Sequence, residues 1–164
     1  RHQTEPAARH KENLDPHVWL APANLKIMAE AMATAMIHAD PANIASYDKN
    51  LRQVKNTLDQ LNRDISQMLA PCRGSIFYVF HPAFGYFAHA YDLHQEAVEL
   101  EGKSPSPKQL SSLIKQARKD KVKIIFVQPE FDEKSAQAVA RAIGGSVVPL
   151  DPLAEDITTN LKDR

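Results

Sequence analysis

The sequence predicts an α/β fold: a parallel sheet of about four strands, flanked by helices and preceded by a long helical segment. Two observations predict it. An apolar stripe with alternating spacings of three and four residues runs through the second quarter of the chain. After residue 75, short apolar runs then alternate with amphipathic segments, and strands separated by helices of this length are typical of βαβ crossovers, which require parallel pairing.

Two helices are predicted before the sheet. The first spans about Pro22 to Ala39, and Asp40 and Pro41 supply a cap and a first turn for the second, which runs to about Leu69. The second is roughly 40 Å long at 1.5 Å per residue. We interpret it as packing along a sheet-containing domain, because a strand pattern follows at once; a coiled coil is the alternative. The predicted apolar face of the first helix consists of Leu25, Met28, Ala29, Met32, Met36 and Ile37.

Strands and helices alternate in the rest of the chain. The predicted strands are 76–80, 96–100, 123–127 and 146–150, and the predicted helices are 83–91, 107–120 and 133–143. Ser106 and Gln109 have the spacing of a capping box, which marks the start of the middle helix. The domain organisation that follows is a flexible segment at 1–14, a helical segment at 15–70 and an α/β lobe at 71–164.

Composition excludes some classes of function. The 164 residues contain 20 basic and 20 acidic side chains, and zero net charge argues against a nucleic-acid-binding surface. No apolar run approaches the length that crosses a bilayer. The chain opens without a cleavable signal pattern, and we expect it to begin within a longer protein. Its single cysteine, Cys72, has no internal disulfide partner, and we expect a semi-buried structural thiol.

Three residues are candidate metal ligands. His17 lies just before the first helix, His81 follows the first predicted strand, and Asp151 follows the last one. Carboxyl ends of parallel strands meet at one edge of a sheet, where ligands bind in open α/β folds. Two imidazoles and a carboxylate suit zinc and also admit manganese or iron. The structural alternatives are a packing histidine beside Trp19 for His17 and a turn or cap residue for Asp151. We interpret the other histidines as surface or semi-buried: His2, His10, His38, His89 and His94.

Catalytic signals are weak. The five glycines form neither a dinucleotide-binding loop nor a phosphate-binding loop, and no serine lies in a nucleophile elbow. A metal-dependent hydrolase needs a general base in addition to the metal, and the sequence suggests none. The residues alone therefore indicate an α/β domain with a metal site.

Five segments carry a resemblance to a known family. Residues 15–20, 81–87, 104–110, 124–131 and 150–153 resemble, in order and approximate spacing, the metal-binding substrate-binding proteins of bacterial zinc and manganese ABC importers. The resemblance covers almost the whole chain from about Asp15. It implies two α/β lobes joined by a long rigid helix, with the metal in the cleft between them. This chain would be the C-terminal lobe with its linking helix.

The resemblance also implies the site and its metal. His17 and His81 would be ligands, and Asp151 a ligand or a close neighbour. Manganese-type relatives tend to carry a carboxylate where this chain has His81, and nitrogen ligands favour zinc over manganese. The implied protein is not an enzyme. It captures Zn²⁺ in the periplasm, or outside the cell on a membrane anchor, and delivers it to the membrane permease of an ABC importer. No nucleic-acid partner and no membrane insertion by this chain are implied.

The chain departs from the family pattern in several places. The first lobe, its signal peptide and its histidine ligand would lie outside the chain, as would the closing helix after Arg164. His2 and His10 would be the end of the histidine-rich loop of zinc-type members. Gln128 stands where the family often has Glu, and the disulfide of some zinc-type members cannot form with one cysteine.

Three alternative functions stay open at this point. One is manganese or iron delivery by the same fold, which metal competition separates from zinc delivery. Another is an adhesin-like interaction protein, since relatives of that description exist. The third is a metal-dependent hydrolase, which turnover lost on chelation would reveal.

Overall fold

The computed structural model describes residues 14–99, 103, 105–131 and 134–155. The helices are α1 (Pro22–Ala39), α2 (Ile44–Leu69), α3 (Gly85–Ala90), α4 (Pro107–Lys119) and α5 (Lys134–Ile143), and the strands are β1 (Ile76–Val79), β2 (His94–Ala97), β3 (Ile124–Val127) and β4 (Ser146–Pro149). No helix among these is long and apolar enough to cross a membrane. The predicted order of helices and strands is confirmed, with ends that shift by one to three residues.

The long helix α2 is confirmed and begins three residues later than predicted. Pro41–Asn43 form a 3-10 turn, and the regular helix starts at Ile44. The C-terminal half of its apolar stripe is buried in a cluster that joins the long helix to α3. This cluster consists of Leu58, Leu61, Ile65 and Tyr91.

The predicted apolar face of α1 is wrong for two of its members. Met32 and Met36 are 60% and 53% exposed, whereas Ala33 is buried. Apolar residues occur around most of this helix, so their periodicity did not select the packed face. Helix α1 contacts α2, and Leu25 of its predicted face packs against the buried cluster of α2.

Two ion pairs cross between α1 and α2. Lys26 binds Asp59 at 2.6 Å, and Lys55 binds Glu30. Hydrogen bonding to these ammonium groups lowers the pKa of both carboxyl groups. The four side chains remain substantially exposed, so the pairs orient the helices more than they stabilise them.

The strands form one fully parallel sheet in the order β2-β1-β3-β4. Helices α4 and α5 cover one face around Tyr78 and Ile125. The opposite face packs Val79 against Phe84 of the loop before α3 and against Leu20 of a 3-10 turn at Val18–Leu20. The chain reverses its direction across the sheet between β1 and β3. That point is the topological switch point, where ligands bind in this class of fold.

Two local predictions are wrong. The second strand spans His94–Ala97 instead of 96–100, because it pairs with β1 in the register Ile76 to His94 and ends where Ala97 meets Val79. Strand β2 lies at the edge of the sheet, where polar residues can remain exposed to solvent, so its position has no apolar pattern in the sequence. Cys72 is exposed instead of semi-buried, since it lies in the turn after α2. The capping box of Ser106 and Gln109 is confirmed at the start of α4.

We expect Ile65→Ala to lower the free energy of unfolding by about 2–5 kcal/mol, because the substitution leaves a cavity among packed side chains. Ile65 is 1% exposed. The matched control is Ile44→Ala in the same helix, where the isoleucine is 47% exposed and we expect a change within about 0.5 kcal/mol. Urea unfolding of both variants checks this. Equal losses would show that α2 does not pack against α3 as described.

Candidate metal centre

Each of the four strands is followed, one or two residues after its end, by a polar side chain. Glu99 follows β2, His81 follows β1, Gln128 follows β3 and Asp151 follows β4. The strands are parallel, so these four residues share one edge of the sheet. His17 reaches the same edge from the turn before α1, and its ring contacts the ring of His81.

His17 is oriented by a carboxylate two residues earlier in the chain. One oxygen of Asp15 accepts the backbone N–H of His17 at 2.9 Å and lies 2.7 Å from its ring Nδ1. The other oxygen approaches Gly85 at the start of α3 so closely that a Cβ there would lie 2.6 Å from it. Trp19 packs edge-on against the His17 ring, so this histidine is held on two sides.

His81 is held by three side chains from the segments that follow β2 and β3, the two neighbours of β1. Its Nδ1 lies 2.5 Å from a carboxylate oxygen of Glu99. The Gln128 amide accepts the backbone N–H of His81 at 3.1 Å and donates to its carbonyl at 2.7 Å. Phe131 stacks on the imidazole, with ring centres 4.9 Å apart and planes 20° apart. Both the backbone and the ring of His81 are therefore positioned.

The two histidines are close enough to share one metal ion. Their ring centres are 5.1 Å apart. With Zn–N bonds of about 2.0–2.1 Å and tetrahedral angles, two imidazoles on one zinc have centres roughly 5 Å apart. In both rings Nδ1 lies within hydrogen-bond distance of a carboxylate oxygen. In a neutral imidazole such a partner favours the proton on Nδ1, which leaves the lone pair of Nε2 for a ligand. A carboxylate behind each ligating imidazole is the usual arrangement at zinc sites.

Asp151 lies at the same edge but in a turn. Its carboxylate accepts the backbone N–H of Leu153 at 2.8 Å, and the neighbouring Pro152 carbonyl accepts the indole N–H of Trp19 at 2.8 Å. This second bond ties the segment after β4 to the segment of His17. Among the described residues, no three His, Cys, Asp or Glu side chains converge on a point that could hold a metal ion. The structure brings His17 and His81 together, and the role of Asp151 stays a prediction.

Sequence reasoning missed three residues that shape this site. It gave no role to Asp15 and Phe131, and it placed Glu99 inside a strand that in fact ends at Ala97. Gln128 was noted only as a departure from a family pattern. No local pattern indicated Glu99, because the polar strand β2 gives no signal of where it ends. In the structure Glu99 follows β2 by the same two residues as His81 follows β1. Of the other histidines, His38, His89 and His94 are exposed, while His2 and His10 lie outside the described residues.

The family and the relatives that this chain resembles are described as components of zinc uptake. The family described as zinc-uptake complex component A, periplasmic (ZnuA), matches residues 1–163. The high-affinity zinc uptake system protein ZnuA of Haemophilus influenzae is 32% identical over 144 residues, and that of Brucella abortus is 31% identical over 148 residues. Each match covers 87% of this chain and 43% of the relative. The chain thus spans about half the length of the curated relatives it matches.

Solved structures agree in fold over 91% of the chain. A crystal structure of ZnuA has a TM-score of 0.89 at 40% identity, with 58% of that chain covered. A ZnuA deletion mutant with zinc bound has a TM-score of 0.85 at 39% identity, with 57% covered. The laminin-binding protein of Streptococcus agalactiae, described as bifunctional with adhesin and metal-transporting activity, has a TM-score of 0.84 at 29% identity, with 62% covered.

We expect Gln128→Glu to lower the free energy of unfolding by about 1–3 kcal/mol at neutral pH, because a carboxylate cannot donate to the buried carbonyl of His81. Gln128 is 1% exposed. Burial raises the pKa of a carboxyl group and the protonated form can donate, so stability should recover as the pH falls through that pKa. Thermal unfolding at several pH values measures this. The control is Gln53→Glu on the exposed side of α2, and equal behaviour of the two variants would show that the amide does not hold His81.

Proposed function

The chain belongs to the family of periplasmic zinc-uptake components, and on that premise we propose that it captures zinc outside the cytoplasm and delivers it to the permease of an ABC importer. In this proposal residues 15–70 provide the linking helix of a two-lobe protein and residues 71–164 its C-terminal lobe. The compartment is the periplasm or the outer face of a membrane to which the protein is anchored. Zinc is cargo, and no chemical step takes place on it.

The observation that carries the proposal is the pair of histidines at the switch point of the sheet. Their rings lie at the separation that a shared tetrahedral zinc requires, and each Nδ1 is paired with a carboxylate. A packing histidine needs neither feature. Both imidazole side chains are partly exposed at this edge of the sheet, where an ion can arrive from solvent.

The ligand chemistry supports zinc over manganese. Neutral imidazole nitrogens suit zinc, whereas manganese prefers carboxylate, carbonyl and water oxygens. Asp151 is the proposed oxygen ligand or a near neighbour of the ion. The relatives are about twice as long as this chain, so we propose that the remaining ligand comes from a first lobe that closes over the same edge. Water would complete the coordination of the isolated lobe.

We expect the purified chain to bind one zinc ion and His81→Ala to abolish that binding, because the substitution removes one of two adjacent nitrogen ligands. His94→Ala is the matched control. That exposed histidine begins β2, at the edge of the sheet opposite His81. Native mass spectrometry counts the bound ions directly. Zinc retained by His81→Ala and lost from His94→Ala would contradict the assignment.

Zinc should displace manganese from the chain at equal concentrations, because nitrogen ligands favour zinc.

The chain should also bind zinc more weakly than the two-lobe protein does, because one ligand and half of the cleft are missing from the chain. Isothermal titration with each metal, on the chain and on a two-lobe form, measures both. Affinity of the chain equal to that of the two-lobe protein would show that the first lobe supplies no ligand.

A further inference from the structure

We propose that Glu99 is a positioning residue for zinc capture: it fixes the ring orientation and the tautomer of His81, so that Nε2 faces the open edge of the sheet. This inference rests on the proposed function and names a residue that sets the affinity of the chain for zinc. The evidence is the juxtaposition of two strand ends. Glu99 follows β2 and His81 follows β1, and these strands are neighbours in the sheet.

The backbone places the carboxylate in register with the imidazole. The N–H of Glu99 donates to the carbonyl of Phe80 at 3.0 Å, which extends the ladder between β1 and β2 beyond the last paired residues. The carboxylate then lies 2.5 Å from Nδ1 of His81. The pairing of the strands sets the position of the Glu99 carboxylate beside His81. Both side chains are therefore already ordered when the metal arrives, and their loss of conformational entropy belongs to folding and not to metal binding.

Burial distinguishes this pair from the pair formed by Asp15 and His17. The Glu99 side chain is 3% exposed, whereas that of Asp15 is 30% exposed. Electrostatic interactions are less screened away from solvent, so a buried carboxylate acts more strongly on its imidazole. Glu99 is also one of only two polar or charged residues that are buried in the described part of the chain, and the other is Gln128, which holds the backbone of His81.

A carboxylate behind a ligating imidazole has two effects. It holds the proton on Nδ1, which makes Nε2 the ligand atom, and it raises the basicity of that atom. Loss of such a partner typically weakens metal binding about 10–100-fold. Phe131 stacks on a face of the ring and adds orientation but no charge. The carboxylate of Glu99 is therefore the group that sets the tautomer.

Two substitutions at this position separate the charge from the hydrogen bond. Glu99→Gln keeps an acceptor without the charge, and we expect zinc affinity to fall about tenfold. Glu99→Leu removes both, and we expect a fall of up to about a hundredfold. The control is Glu96→Gln, which removes the same charge from an exposed position on β2 and should change the affinity less than twofold, roughly the range of surface substitutions. Competition against a chromophoric zinc chelator gives all four values.

A readout without metal tests positioning separately from zinc capture. Long-range proton–nitrogen NMR at about pH 8, where an ordinary histidine is neutral, should show His81 of the wild type with its proton on Nδ1. The bonded proton should resonate far downfield, and the signal is assigned by its loss in His81→Gln. Glu99→Leu should shift His81 toward the form protonated on Nε2, and Glu96→Gln should not.

The outcomes distinguish the two proposals. A wild-type chain that shows the Nδ1–H form of His81 but binds no zinc contradicts the proposed function and leaves the orienting contact of Glu99 intact. Zinc binding that Glu99→Leu and Glu96→Gln weaken equally overturns the role of Glu99. A wild-type His81 protonated on Nε2 also overturns it, and that measurement does not depend on whether the Glu99 variants fold.

Discussion

The parallel pairing of β1 with both β2 and β3 is the constraint on which the rest of the structure depends. It places β1 in the middle of the sheet and makes the strand ends on either side of it neighbours of His81. The crossovers that parallel strands require then place α3 on one face of the sheet and α4 and α5 on the other. With both faces covered, the carboxyl ends of the strands meet at an edge of the kind where ligands bind in this class of fold.

The surroundings of His81 show how the edge of a sheet can position a candidate ligand. A histidine at the end of a central strand has a neighbour on each side, and here one neighbour contributes a buried carboxylate and the other an amide. The amide satisfies the N–H and carbonyl of His81 where the ladder ends, while the carboxylate lies within hydrogen-bond distance of the ring Nδ1. In the proposed site His81 would be oriented before the ion is present, and pre-organisation of this kind strengthens binding without added contacts.

Sequence patterns predicted best the features that repeat locally. The stripe of α2, the capping box of α4 and the alternation of strands with helices depend on residues a few positions apart. The periodicity of apolar residues gave the least accurate predictions where such residues are very abundant, as in α1, or scarce, as in β2. Helix α1 is apolar around most of its circumference, so its packed face was not identifiable, and the polar edge strand β2 gave no hydrophobic signal of where it begins.

The sequence by itself determined the fold class and the candidates His17, His81 and Asp151, because the periodicity of apolar residues changes locally where a strand ends or a helix begins. Only the tertiary structure decided which side chains surround those candidates. The partners of His81 lie 18 and 47 residues away in the chain, just after strands whose order in the sheet does not follow their order in the sequence. Strand order and register arise from the packing of the whole domain, and no local pattern encodes them.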